Sequence, residues 1–152
     1  MLELKHEFLC EIVGDLAEPQ AVGDGPHGVR VIFPITGGTV KGPKINAEVL
    51  PVGADWIVMR KDGVGQLDVR ATARTDDGAL IYTWYRGLLK VAPETMARIQ
   101  AGEQVDPNEY YFRTTPVFET GDPRYAWLNQ IIAVGVGKAG SGQVRYKVYQ
   151  IL

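Results

Sequence analysis

The sequence predicts an all-β protein: a closed or nearly closed antiparallel barrel of about eight to ten strands with one short helix. Three observations carry that reading. Short stretches rich in β-branched and aromatic residues recur along the chain with turn residues between them. There is no strand–helix–strand alternation and no internal repeat. Closure is favoured over an open sandwich because it removes the edges that so many strands would otherwise expose. A barrel of about eight strands can also hold one small ligand.

Leu2 to Val13 alternates, with Leu2, Leu4, His6, Phe8, Cys10 and Ile12 on one face, and reads as a long amphipathic strand. Asp15 to Gly28, rich in Gly and Pro, reads as a long loop, a lid or flap. Val29 to Ile35 is a strand whose end is an edge or bulge, because Pro34 has no amide donor; Gly37-Gly38 then breaks it. Ile45 to Leu50 is a short strand, and Pro51-Val52-Gly53 turns into a further strand from Asp55 to Arg60. Lys61-Asp62-Gly63 is a hairpin turn. Gly65 to Arg74 alternates almost perfectly, Asp76-Asp77-Gly78 is the strongest hairpin signal, and Ala79 to Val91 is the return strand. Pro93 to Gly102 is the one helix: Pro93 sits near its first turn, Glu94 complements its positive end and Gly102 stops it. Tyr110 to Phe118 and Leu128 to Val136 read as strands on either side of Thr120-Gly121-Asp122-Pro123. Gly140-Ser141-Gly142 turns the chain into Val144 to Ile151, where Val144, Tyr146 and Val148 alternate with polar residues.

A chain of 152 residues suits one domain, 1–152, with a sizeable core. The net charge of −2 gives no electrostatic pull toward nucleic acid or anionic membranes. No run approaches a membrane span, and the first residues, MLELKHEFLC, lack the apolar core of a signal peptide. Cys10 is the only cysteine, so no intrachain disulfide is possible, and a cytoplasmic protein fits this composition.

Elimination narrows the chemistry. Gly135 to Gly140 matches GxGxxG, but a strand follows where the motif needs a helix to hold a pyrophosphate, so these glycines read as a bulge and a turn. His6 and His27 are the only imidazoles; His6 reads as a core residue and His27 as solvated, which argues against a histidine metal site. Ser141, the sole serine, sits in a turn, unsuited to a triad. No metal or cofactor is therefore expected. Carboxylates, tyrosines and arginines remain for acid–base work. Asp55, Asp68 and Tyr85 are the catalytic candidates, the aspartates as bases and the tyrosine as proton donor. Arg70, Tyr82, Tyr111, Arg113, Trp127 and Asn129 are the ligand-binding candidates: arginines for an anionic group, phenols for an enolate-like oxygen, the indole as a wall and the amide as a donor. Asp68 and Arg70 share a strand parity and can equally form a surface ion pair worth about 0–1 kcal/mol.

Gly37-Gly38-Thr39-Val40, Lys41-Gly42-Pro43, Gly53-Ala54-Asp55-Trp56, Leu67 to Arg70, Thr75 to Ile81, Tyr110 to Pro116, Phe118 to Gly121 and Tyr125 to Asn129 together make the chain resemble a family of small bacterial and fungal proteins, the domain of unknown function 3237. The resemblance covers nearly the whole chain. It implies a calycin-like barrel that self-associates, and it brings no activity with it. The expected function is a small-molecule-binding barrel: a cofactor-free isomerase, hydratase or cyclase that moves protons on a small anionic or aromatic metabolite. The alternatives are a non-catalytic carrier or sensor and a structural assembly subunit. No nucleic-acid or membrane partner is expected.

Overall fold

The computed structural model describes residues 2–152 and arranges them as ten strands, one α-helix and two short 3-10 helices. The strands are β1 (His6–Leu16), β2 (Gln20–Gly25), β3 (Gly28–Lys41), β4 (Asn46–Met59), β5 (Val64–Thr75), β6 (Leu80–Lys90), β7 (Tyr111–Thr114), β8 (Val117–Glu119), β9 (Ile132–Ala139) and β10 (Gln143–Ile151). Helix α1 is Pro93–Gln100, and the 3-10 helices are Pro107–Glu109 and Pro123–Gln130. Hydrogen bonding runs β1-β10-β9-β7-β6-β5-β4-β3, and β3 pairs back onto β1, so eight strands close into an antiparallel barrel. The other two are additions: β2 pairs with β3, and β8 pairs with β6. No helix among the described residues is long and apolar enough to cross a membrane.

Where the structure departs from simple alternation, a bulge or a proline is the cause. The β1–β10 register shifts between Phe8 and Cys10. Leu9 and Cys10 are therefore both buried, while His6 and Phe8 are exposed against Tyr149. His6 is thus a surface residue, not the core residue its parity suggests. The segment 15–28 is not a free flap, because β2 takes its backbone partners from β3. Nor does β3 stop at Pro34: it bends through Gly37-Gly38 and runs on to pair with both β1 and β4. Gly38 has φ 139°, and a side chain there would overlap the Val13 carbonyl, so only glycine lets β1 approach. The two short strands expected around Pro51 are one strand, β4. Its ladder passes from Val49↔Ala73 to Gly53↔Ala71 with Pro51-Val52 bulged outward. Val49 and Asp55 consequently keep the same inward parity.

Pro116, with no amide donor, divides the stretch 110–118 into β7 and β8. Leu128 is helical rather than the start of a strand. Asp122 opens that 3-10 helix by accepting a hydrogen bond from the Arg124 amide at 2.9 Å. Gly135 and Gly137 lie in an unbroken β9–β10 ladder, so neither marks a bulge. They are small because Thr114 and the Phe112 ring fill the space a side chain would need. The hairpin turns at 61–63 and 76–78, the helix from Pro93 and the strands β5, β6 and β10 lie where alternation and turn chemistry put them.

The ends of the barrel differ. Leu128, only 1% exposed, and Phe118 plug the end nearest the β5–β6 turn. At the other end α1 dips Met96 and Ile99 toward the interior beside the β9–β10 turn.

Candidate active site

Inward parity on all eight barrel strands leaves a cavity of about 530 Å³. Its wall is mostly aliphatic and aromatic, with Phe33, Ile57, Leu67, Val69 and Phe112 prominent. Asp55 is the only carboxylate on that wall, and no lysine, arginine or histidine lines it among the described residues. Among the described residues Tyr85 and Tyr146 bring its only phenols.

The ladders explain how these groups meet. Asp55 on β4 opposes Val69 on β5, and Val69 opposes Tyr85 on β6. Positions directly opposite one another point to the same face, so carboxyl and phenol share the inner wall with one strand, β5, between them. Tyr146 comes from the far side of the sheet path, on β10 opposite Gly137. Its ring meets Tyr85 edge-on at 5.4 Å and Phe112 edge-on at 5.4 Å. The hydroxyls of Tyr85 and Tyr146 are close enough to interact.

Burial dominates the electrostatics. It raises the Asp55 carboxyl from 3.8 to about 7, with the Asp68 charge adding to the rise. A hydrogen bond from the Asp68 amide to Asp55 Oδ1 at 3.1 Å and the positive charge of Arg30 oppose that shift. Arg30 is half-buried and held by Nη1 donating to the Trp56 carbonyl at 2.7 Å. Burial also lifts Tyr85 and Tyr146 above the usual phenol range, and the Asp55 charge pushes both further. The phenols therefore stay protonated at neutral pH. They are hydrogen-bond donors beside a carboxyl poised between its two forms.

Of the candidates read from the sequence, Asp55 and Tyr85 line the cavity and the others do not. Asp68 contributes its backbone amide; its side chain has the outward parity of Arg70, and the two form no ion pair among the described residues. Arg70 is exposed. Tyr82 faces outward, opposite Glu119 on β8. Tyr111 and Arg113 are on the outer face of β7, the guanidinium 4.9 Å from the ring centroid. Trp127 sits under Lys44 at 5.6 Å. The Asn129 side chain is spent on the Thr120 backbone, accepting from its amide at 2.8 Å and donating to its carbonyl at 2.9 Å. Tyr146 and Arg30 were not among the candidates. The apolar parity of Val144, Tyr146 and Val148 was the available signal for the first; nothing local marks Arg30. No group of three or more His, Cys, Asp or Glu residues able to hold a metal occurs among the described residues.

Residues 4–151 match the family model described as a protein of unknown function, DUF3237. A UPF0311 protein of Rhodopseudomonas palustris is 40% identical over 99% of this chain and 97% of its own length. A crystal structure of a conserved protein of unknown function from that organism superposes with a TM-score of 0.94 at 37% identity, covering 100% of both chains. A β-barrel-like protein from Acinetobacter baumannii gives 0.87 at 38% identity, covering 100% of this chain and 98% of its own. A protein described as an enzyme, from Penicillium herquei, shares the fold with a TM-score of 0.74 at 19% identity, covering 100% of this chain and 97% of its own. With a whole-chain family match and relatives at this identity, the chain belongs to the DUF3237 family of β-barrel proteins.

Proposed function

We propose that the barrel binds an uncharged, largely apolar small molecule and transfers a proton on it. Asp55 is the acid–base group, and Tyr85 and Tyr146 donate hydrogen bonds to a substrate oxygen. The observation that carries this reading is that one carboxyl and two phenols face into a mostly apolar cavity. A carboxyl with a pKa of about 7 is available as acid and as base near neutrality, where such catalysis is most effective. Protonated phenols aimed at a developing enolate oxygen stabilise it strongly in a water-poor site.

The same wall favours a neutral substrate over an anionic one. Among the described residues no cation faces the cavity, so a bound anion would be buried without a partner there. That points to a carbonyl compound with an alicyclic or aromatic body, undergoing isomerisation, hydration or cyclisation. The Penicillium herquei protein, described as an enzyme, lends support that this fold accommodates catalysis. The mostly apolar wall favours a second reading, a non-catalytic carrier of the same class of molecule.

A panel of neutral carbonyl metabolites, incubated in D2O and followed by proton NMR, separates the two. Catalysis gives deuterium incorporation or product, reduced about 100-fold or more in D55N and by a smaller factor in Y85F and Y146F. Compounds that raise the melting temperature yet exchange no proton and form no product support the carrier.

A further inference from the structure

A second concavity, about 370 Å³, lies on the outer wall over β6 and β7. The strand pairing builds it. Leu88 opposes Arg113, Gly87 opposes Thr114, and the Thr115 amide donates to the Arg86 carbonyl at 3.0 Å. Arg86 and Arg113 are thus diagonal neighbours on the outward face, a spacing that long side chains bridge. Arg60, Arg98, Arg124 and Arg145 each have a carboxylate partner, but among the described residues Arg86 and Arg113 have none. Asp68 stands opposite Arg86 on β5 and forms no ion pair with it.

Arg113 is held as a receptor group would be. Its guanidinium stacks over Tyr111 at 4.9 Å, and Nη1 donates to the Phe112 carbonyl at 2.9 Å. No protein acceptor among the described residues takes its other N–H groups. Gly87, of the inward parity, lets β6 and β7 come close beneath the concavity, since a side chain there would come 2.7 Å from the Arg113 carbonyl. Leu88 and Val134 supply apolar flanks.

We propose that this groove binds a small organic oxyanion, a carboxylate or a phosphate monoester carried on a flat apolar body. Two guanidiniums side by side repel each other until an anion joins them, and their planar forks match carboxylate and phosphate oxygens. Tyr111 and Leu88 offer the surface on which a ring packs. The site is separate from the barrel cavity, with the β6–β7 wall between them, and it stands whether or not the proton-transfer reading holds.

Titration of ¹⁵N-labelled protein with benzoate, phenyl phosphate and neutral benzyl alcohol tests it. The aryl anions are expected to give saturable shifts at the amides of Leu88, Arg113 and Thr115, with benzyl alcohol giving none there. Affinity is expected to fall about ten-fold or more in R113Q and in R86Q, and to fall with added salt. The preferred anion distinguishes a carboxylate from a phosphate ligand. Both arginines are on the outer face, so folding is expected to survive; if R113Q does not fold, R86Q alone decides. The proposal is overturned if neither anion shifts those amides, if both bind the variants as tightly as the wild type, or if shifts appear only at cavity residues such as Leu67 and Tyr146.

Discussion

Asp55 Oδ1 accepts a hydrogen bond from the Asp68 amide at 3.1 Å, where an antiparallel ladder would ordinarily supply a backbone carbonyl. The β4–β5 pairs run to Asp55↔Val69 and resume only at Val58↔Gln66. A cavity carboxyl is thus held in place by the frame of the sheet, which satisfies one oxygen and leaves the other for chemistry.

Burial raises that carboxyl from 3.8 to about 7. Between those values the folded protein keeps a proton the unfolded chain has lost. This group's contribution to stability is therefore full below the unfolded value, declines as pH rises toward 7 and is level above it. The variant D55N keeps the shape and the acceptor oxygen but cannot ionise. Relative to wild type, it is expected to gain about 1–4 kcal/mol in urea unfolding between about pH 5 and about pH 8.5. An unchanged difference at the two pH values would mean that the carboxyl ionises as readily in the fold as out of it.

Thr75 ties the β5–β6 turn to the plugged end of the barrel. It is 3% exposed, accepts from the Ala79 amide at 2.7 Å and donates to Asp77 at 2.5 Å. Asp77 also accepts from the Tyr125 hydroxyl at 2.9 Å. Loss of the buried hydroxyl in T75V is expected to cost about 1–3 kcal/mol, and loss of the Tyr125 hydroxyl in Y125F about 0.5–1.5 kcal/mol. Because both act through Asp77, the double variant should fall short of the sum in denaturant melts.

Gly137 lies against the Phe112 ring, and a methyl group added there would come 2.6 Å from it. Overpacking by G137A is expected to destabilise by about 1–3 kcal/mol. Phe112 in turn holds the Tyr146 ring, so the damage should reach any activity that uses that phenol. F112L in the G137A background should recover part of the stability; no recovery would place the clash elsewhere.

Much of the β5–β6 hairpin was readable because the Leu67, Val69, Ala71, Ala73 alternation and Asp77-Gly78 agree, and local signals suffice where no bulge intervenes. Asp55 and Tyr85 were within reach for the same reason, since each sits in a short, regular run. Bulges defeated the rest of the parity argument, as at Phe8/Cys10, where one shift reverses which face is wet. Arg113 and Tyr111 illustrate a different limit: an aromatic-rich strand with an arginine has the same composition whichever way its side chains point. Leu128 and Asn129 open the Leu128 to Val136 run, read as apolar on both parities, and such a run cannot be told from a short helix by periodicity. Tyr146 meets Tyr85 only through closure of the sheet, which no local window contains.

β10 lies between β9 and β1, and the ion pair of Glu11 with Arg145 joins residues 134 apart in the chain. During synthesis, then, β1 must wait with its β10-facing edge unsatisfied until nearly every other strand has been made. Such distant pairing makes acquisition of the native state slow. It also marks the interval before β10 docks as the time when this protein is most prone to pair with a neighbour's strand instead of its own.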